Sequence, residues 1–446
     1  MTASDSPLEQ SPTAIRPVYT TDEPNKAILL YEGSLEITQT ANVKQGNGSV
    51  YFEWLPSPNV KFEFFSQDSW VPEFDVHQAA SLNLLDIGTS VEVSMSSPSY
   101  SANQDGEQLY QLSGELSEPI IVSSGNSLSY LLFHLVNTSW SGRVNLEAEG
   151  WSVAIDSLPN HTNIKKALKS QGGYAITHVG KIERSDQGIF TVNQAEELLE
   201  ALRFFFSFSR GLQTSTILQV GYNVNGDEIW KKWDANHYIK PWQDVCSCFP
   251  DFNAQSLSEL FPSFLRRWQN SIWQEPIIYA IHWYMESMAQ AGAVEGSIVL
   301  EQAAFELLSR VLIVEDKTLI SSNAFENLNG VDKLRHLLSE SGIPCTVPES
   351  LINLSQLSQA WDSADGPKVL TNIRNAIVHS GKPQKRQKLS QMPSASETKG
   401  EAWQLGLWYL ELVLLRLFEY QGDYFNRVAY KQRDEENIEP VPWANS

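Results

Sequence analysis

Between Lys26 and Trp242 the apolar residues fall in short alternating or continuous runs, AILLYEGSLEIT, SVYFEW, VKFEFF, SVEVSM, PIIVSS and RVNLEAEGWSVAI, divided by turn residues. Successive side chains of a strand point to opposite faces, so this spacing predicts β-structure with one face of each strand buried. Asn225-Gly226 lies between two such runs, GYNV and DEIW, and can supply the positive φ angles of a type I′ turn, which predicts a hairpin. One segment breaks the pattern. NQAEELLEALRFFFSFSRG has helical spacing, with Asn193 as the expected N-cap, Glu196 at the capping-box position and Gly211 as the stop.

Beyond Trp242 the repeat lengthens. VCSCFPDFNAQSLSE reads as a junction, with the boundary expected between residues 245 and 260. Helices are predicted over Leu257–Trp273, from Pro276 onward, over Glu295–Val314, Val331–Ser341 and Gly366–His379, and from Glu401 to about Arg427. In the last of these, Trp403, Leu407, Leu410, Leu414 and Leu417 recur at steps of four and three, a seam for packing helix on helix. GKPQKRQKLSQMPSASETKG, just before it, has no apolar period and is expected to be a mobile basic loop.

The chain therefore reads as an α+β multidomain protein. A loose tail is expected over 1–25, a β-rich domain over 26–245, an all-helical bundle over 255–430 and a second tail over 431–446, both tails being rich in polar residues without periodicity. Length and composition permit this: 446 residues with 42% apolar and 19% charged can fill more than one core. Lys and Arg number 32 against 53 Asp and Glu, a net charge of −21. Such a chain does not coat nucleic acid by bulk charge, though a local basic site remains open. Three cysteines, Cys246, Cys248 and Cys345, are too few for a disulfide framework or a four-ligand zinc site, which predicts a reducing, cytoplasmic setting. No secretory signal is read at the N-terminus, and the most apolar windows carry Glu301, Glu306, Arg310, Glu411 and Arg416, so core helices rather than membrane spans are expected.

Candidate chemistry gathers in Asn372-Ile373-Arg374-Asn375-Ala376-Ile377-Val378-His379. Leu370, Ile373 and Ile377 form a stripe facing the core, which puts His379 on the solvent side of the last turn. Asn375, four residues earlier, lies beneath the ring and could hold one tautomer. Arg374 and His379 differ by about 140° around a regular helix, so they converge on one ligand only if the helix end unwinds or a second chain contributes. Lys382, Lys385, Arg386 and Lys388 follow at once. The plainer reading pairs Arg374 with an acid such as Glu301 or Glu306 and leaves His379 simply exposed. Other motifs fail. His282 and Glu286 have metal-ligand spacing without a third ligand, Gly180-Lys181 lacks the rest of a phosphate loop, no nucleophile elbow is present, and Trp230, Trp233, His237, Tyr238 and Trp242 read as core more readily than as a stacking platform.

A helical domain whose late helix ends RNAIVH, followed by a basic stretch and one more long helix, resembles a HEPN domain. More narrowly it resembles the Apea-like HEPN proteins of bacterial abortive-infection, anti-phage systems, with FFFSFSRG and VGYNVNGDEIWKKW carrying the thinner likeness in the first half. The resemblance implies a metal-independent endoribonuclease with no cofactor, assembled as a homodimer. In it His379 handles the 2′-OH proton or the leaving group, Arg374 stabilises the phosphorane and Asn375 supports them. It further implies Lys382, Lys385, Arg386 and Lys388 as RNA contacts, and an N-terminal domain that receives a phage-derived protein or other trigger. RNA brings its own nucleophile, so a proton carrier and a fixed cation suffice. The alternative is a non-catalytic HEPN scaffold that binds RNA or nucleotide and recruits a partner through the β-rich domain.

Overall fold

The computed structural model describes residues 14–67, 74–102, 108–234, 239–249, 254–361, 363, 365–390, 392–429 and 437–444. Alternating burial builds its first body. β1 (Ile28–Gln39), β2 (Asn42–Glu53), β3 (Asn59–Ser66), β4 (Ala80–Leu84), β5 (Thr89–Met95), β6 (Ser99–Ala102) and β7 (Gln108–Leu116) join antiparallel in the order β3-β2-β1-β4-β5-β7-β6. β3 also pairs with β7, which closes six strands into a barrel and leaves β6 attached to β7. Leu35, Ile37, Val50, Phe52, Phe62, Phe64, Leu82 and Val93 fill the interior.

A second sheet follows. β8 (Ile120–Ser123), β9 (Ser127–Leu128), β10 (Tyr130–Val136), β11 (Arg143–Ala148), β12 (Trp151–Ser157), α1 (His161–Gln171), β13 (Ile176–Arg184), β14 (Phe190–Thr191), α2 (Val192–Arg210), β15 (Thr216–Tyr222) and β16 (Glu228–Trp233) give the strand order β11-β12-β13-β10-β15-β16-β8, with β9 and β14 paired separately. β10, YLLFHLV, is buried along all but its first residue because both faces of this sheet are covered. Phe133 and Leu135 join the core shared with the helices, and Val136 joins the core shared with the barrel.

The helical body comprises α3 (Ala254–Trp268), α4 (Gln274–Met288), α5 (Ala293–Arg310), which runs into a π-helical turn over Val311–Asp316, then α6 (Ser322–Glu326), α7 (Gly330–Glu340), α8 (Ile352–Ala360), α9 (Gly366–Val378), α10 (Pro383–Ser390) and α11 (Ala395–Leu417). β17 (Asp423–Phe425) and β18 (Ile438–Pro440) pair after it. α5 packs on α4, α7, α9 and α11, while α3 lies across β11 and α2, so one hydrophobic core continues from the central sheet into the helices. The architecture is thus α+β and multidomain. No helix among the described residues is long and apolar enough to cross a membrane.

Several expectations are corrected. Residues 14–25 are not a loose tail: the Ile15 amide donates to Asp156 Oδ2 at 2.8 Å, the Tyr19 amide to His134 Nε2 at 3.1 Å and the Asn25 amide to the Tyr174 carbonyl at 2.8 Å. Nor are residues 437–444, where Val441 and Trp443 are buried and the Trp443 indole donates to the Tyr420 carbonyl at 2.7 Å. The rest of the two expected tails lies outside the described residues. Thr191, not Asn193, caps α2, forming a capping box with Gln194, because β14 carries extended backbone up to Thr191; Gly211 does end the helix, at φ 67°. The Asn225-Gly226 hairpin forms, but only Gly226 has positive φ and its amide donates to the Asn223 carbonyl, so a longer bulged loop replaces the I′ turn. Trp230, Trp233 and Trp242 are core, and His237 and Tyr238 lie outside the described residues. His282, whose spacing to Glu286 resembled a metal pair, is exposed.

Candidate functional site

α9 is placed by its first turn and its apolar face. The Asp365 carboxylate accepts from the Lys368 amide at 3.0 Å and from Arg335 Nε of α7 at 2.7 Å, while Val369, Leu370, Ile373 and Ala376 are buried. At its other end the His379 amide donates to the Asn375 carbonyl at 3.1 Å. The chain turns at once. The Lys382 amide donates to the His379 carbonyl at 2.9 Å, the Arg386 amide to the Lys382 carbonyl at 3.1 Å, and Pro383 opens α10 at a position where its missing N–H is not needed. The stretch expected to be a mobile basic loop therefore holds the two-turn helix α10 and, from Ala395, the start of α11.

Of the three residues expected to act together, one chain joins Arg374 to Asn375 and leaves His379 apart. α9 stays helical through Val378, so the 140° offset between Arg374 and His379 persists. The half-buried Arg374 turns its Nη1 to Asn375 Oδ1 at 3.1 Å, and its Nε is buried with no partner among the described residues; neither has Thr371 Oγ1, one turn earlier. Asn375 thus serves the guanidinium rather than the imidazole. His379 is exposed, as are Val378 and Ser380. The seam of α11 packs within the single chain, where Leu405 through Leu415 are all buried.

The acids proposed as partners for Arg374 are engaged elsewhere or stay apart. Glu306 is exposed, with no ion pair to Arg374 among the described residues. Glu301 accepts from Ser287 Oγ at 2.7 Å, and burial pushes its carboxyl well above the usual carboxylate range. It belongs to an interior polar network that pattern reading missed. Arg427 Nε donates to Glu411 Oε2 at 2.7 Å, a second guanidinium nitrogen meets Oε1, and the Tyr284 hydroxyl donates to the same oxygen at 2.8 Å. The visible signal was Glu411 within the apolar run LWYLELVLL, since a charge there needs a partner.

Lys382, Lys385 and Arg386 share one face of α10 at i, i+3 and i+4, and no acid among the described residues pairs with them. Lys388 Nζ lies 5.1 Å from the Trp361 ring centroid. Several cations elsewhere are neutralised, as in Arg143 with Asp156 at 2.6 Å, Arg335 with Asp365 at 2.7 Å and Lys399 with Glu295 at 2.7 Å. The α9–α10 corner is thus a patch of uncompensated positive charge on an acidic protein.

Comparison with known proteins places the chain differently from the motif. Residues 123–245 match the family described as YopA central domain, and residues 270–438 match YopA C-terminal domain. The HEPN and Apea-like resemblance is therefore corrected: RNAIVH followed by basic residues is what an amphipathic core helix with a charged exit produces, and the families matched are these. No solved structure matches. Over 435 residues, 94% of this chain and 95% of the relative, the chain is 29% identical to the SPbeta prophage-derived uncharacterized protein YopA of Bacillus subtilis (strain 168), so the similarity to YopA extends through nearly the whole length of both proteins.

Proposed function

We propose that the protein binds RNA through the α9–α10 corner, with Lys382, Lys385, Arg386 and Lys388 on the phosphates and the barrel free to receive a partner. The observation that carries this reading is the absence of acidic partners for these four cations among the described residues of a chain with net charge −21. Unpaired cations release condensed counterions from a polyanion, whereas cations already in ion pairs do not. Single-stranded RNA is the ligand that suits one short helix, which meets a flexible backbone more readily than a deep groove. The free thiols of Cys246, Cys248 and Cys345 support a cytoplasmic setting. Similarity to a prophage-derived protein supports a phage–host context.

The test is fluorescence anisotropy with labelled single-stranded RNA across a salt series, on the parent and on a variant carrying Lys382→Glu, Lys385→Glu, Arg386→Glu and Lys388→Glu. Each lost contact lowers the logarithmic salt slope by about 0.7, so the variant should bind weakly with a nearly flat slope. Equal slopes would remove the corner from the interface. Exposed His379, three residues from Lys382, favours a second reading in which bound RNA is also cleaved: an imidazole takes the 2′-OH proton while a cation holds the phosphorane charge. Incubation with RNA in EDTA decides it. Cleavage that falls about 100-fold in His379→Ala, with binding unchanged, supports this reading; cleavage equal in both proteins rejects it.

A further inference from the structure

Trp361 closes α8 and stands beside α10, within reach of its cations. Ten of the described tryptophans are buried, and Trp283, Trp361 and Trp403 are half-buried. Two of these three are engaged by other groups: the Trp403 indole donates to the Ser287 carbonyl at 3.2 Å, and Trp283 stacks on Tyr279 at a ring separation of 5.7 Å. Trp361 differs. Its ring meets no other ring among the described residues, and what lies over it is Lys388 Nζ, 5.1 Å from the centroid.

The indole is fixed at its root. The Trp361 amide donates to the Leu357 carbonyl at 2.9 Å, and the side chain packs against the margin of the helical core, as does Leu389 of α10. Lys385, Lys388 and Leu389, at i, i+3 and i+4, are the half-buried residues of α10, whereas Lys382 and Arg386 are exposed. Leu389 therefore docks the short helix, and Lys388, one residue before it, is carried over the ring. A lysine over an exposed aromatic ring contributes about two- to fivefold to an equilibrium, whereas a nucleic-acid base stacked on one contributes about 5- to 150-fold. A base thus gains more from the ring than the lysine gives up, and the flexible lysine stem can turn to a phosphate instead.

We infer that Trp361 stacks an unpaired base of bound RNA, with Lys388 moving from the ring to the phosphate beside that base. This rests on the RNA-binding reading above and narrows its ligand: the strand must present a base free of a helix, since a polyanion without bases, or a duplex, meets the cations alone. Aromatic ring and cations side by side match a single strand, in which every phosphate is followed by a planar base. Recognition by stacking tolerates any base, because each has a π-face, so the site reads unpaired RNA rather than a sequence.

Fluorescence anisotropy on the full-length protein compares two labelled probes of equal length and charge, a short oligoadenylate and an oligomer of abasic ribose phosphates. The parent should bind oligoadenylate about 5- to 150-fold more tightly, with the same salt slope for both probes. Trp361→Leu should bring the two affinities together and leave that slope unchanged. Trp361→Tyr should restore most of the difference, and Lys388→Gln should keep it while lowering both slopes by about 0.7. A second readout does not depend on the folding of the Leu variant: in the parent labelled with 5-fluorotryptophan, the fluorine signal identified by its loss in Trp361→Tyr should shift with oligoadenylate and stay in place with the abasic probe. If neither probe binds in a salt-dependent way, the phosphate contacts themselves are refuted and the stacking falls with them. Salt-dependent binding with equal affinity for the two probes, a base preference undiminished in Trp361→Leu, or an unmoved Trp361 signal at saturating oligoadenylate would overturn the stacking alone.

Discussion

Acid should release the N-terminal segment from the central sheet through His134. This residue sits fully buried in β10, with both ring nitrogens in use: Nε2 accepts the Tyr19 amide at 3.1 Å and Nδ1 faces the Leu218 carbonyl at 3.1 Å. An amide can only donate and a carbonyl only accept, so the ring is neutral with its proton on Nδ1. Burial pushes its pKa down from 6.5 to about 4, against a weaker upward pull from the Leu218 and Ile217 carbonyls. The unfolded chain therefore takes up the proton first. Stability from this group is complete above pH 6.5 and is lost as pH falls toward 4, at no more than about 1.4 kcal/mol per unit and about 3 kcal/mol in all. His178, held by Thr138 Oγ1 at 2.5 Å and the Trp140 carbonyl at 3.1 Å, is also depressed by burial, as is His161, so the parent should be steeper still. Protonated Nε2 would confront the Tyr19 N–H with a second donor, which places the first local failure at residues 14–25. Urea midpoints at pH 7.5 and 4.5, with hydrogen-exchange protection at the Tyr19 amide, read both effects. His134→Gln should lose a clear part of the pH dependence. An identical slope in parent and variant, or Tyr19 protection unchanged between the two pH values, would refute the argument.

Two further outcomes follow from the packing. Arg427→Met alone should cost about 3–5 kcal/mol, because it leaves Glu411 buried without its cation, whereas Arg427→Met with Glu411→Leu should recover much of the loss; additive denaturation midpoints would show that the pair is uncoupled. Thr191→Ala should cost about 1 kcal/mol by removing the capping box of α2, read as a drop in the urea midpoint with unchanged slope.

The parts of the fold that were legible are those where one periodicity runs unbroken. Barrel strands such as β3, with Val60, Phe62 and Phe64 inside and Lys61, Glu63 and Phe65 less buried, show their alternation directly. α9 and α11 likewise show a helical stripe. α10 did not, because PQKRQKLS buries none of its residues and owes its helix to Pro383 and to the turn made at His379. The two tails were misread for a related reason: Ile15 and Tyr19 at one end, and Val441 and Trp443 at the other, are isolated anchors, and a single apolar side chain has no period. At the site, the cations of the α9–α10 corner were legible as charge. The direction taken by Arg374 was not, since a guanidinium on a long stem can meet a neighbour one residue away or an acid on another helix with equal sequence support.

The change from strand to helix pattern near residue 245 also carries less meaning than it first suggests. It marks where backbone type switches, not where a core ends. Phe205 of α2 packs against Phe261 and Phe264 of α3 at ring separations of 5.2 Å, and Phe208 meets Tyr284 and Phe418 at 5.6 Å. Arg210, the last residue of α2, donates to the carbonyls of Gln243 at 2.7 Å and Val245 at 3.2 Å, fixing the connecting segment as it leaves the sheet. The FFFSFSR run is therefore apolar on nearly every side because it is a shared wall: part of it covers the central sheet and part receives the helices. A helix so placed satisfies two bodies at once, and its all-round hydrophobicity is the physical reason that the central sheet and the helical bundle form one continuous core.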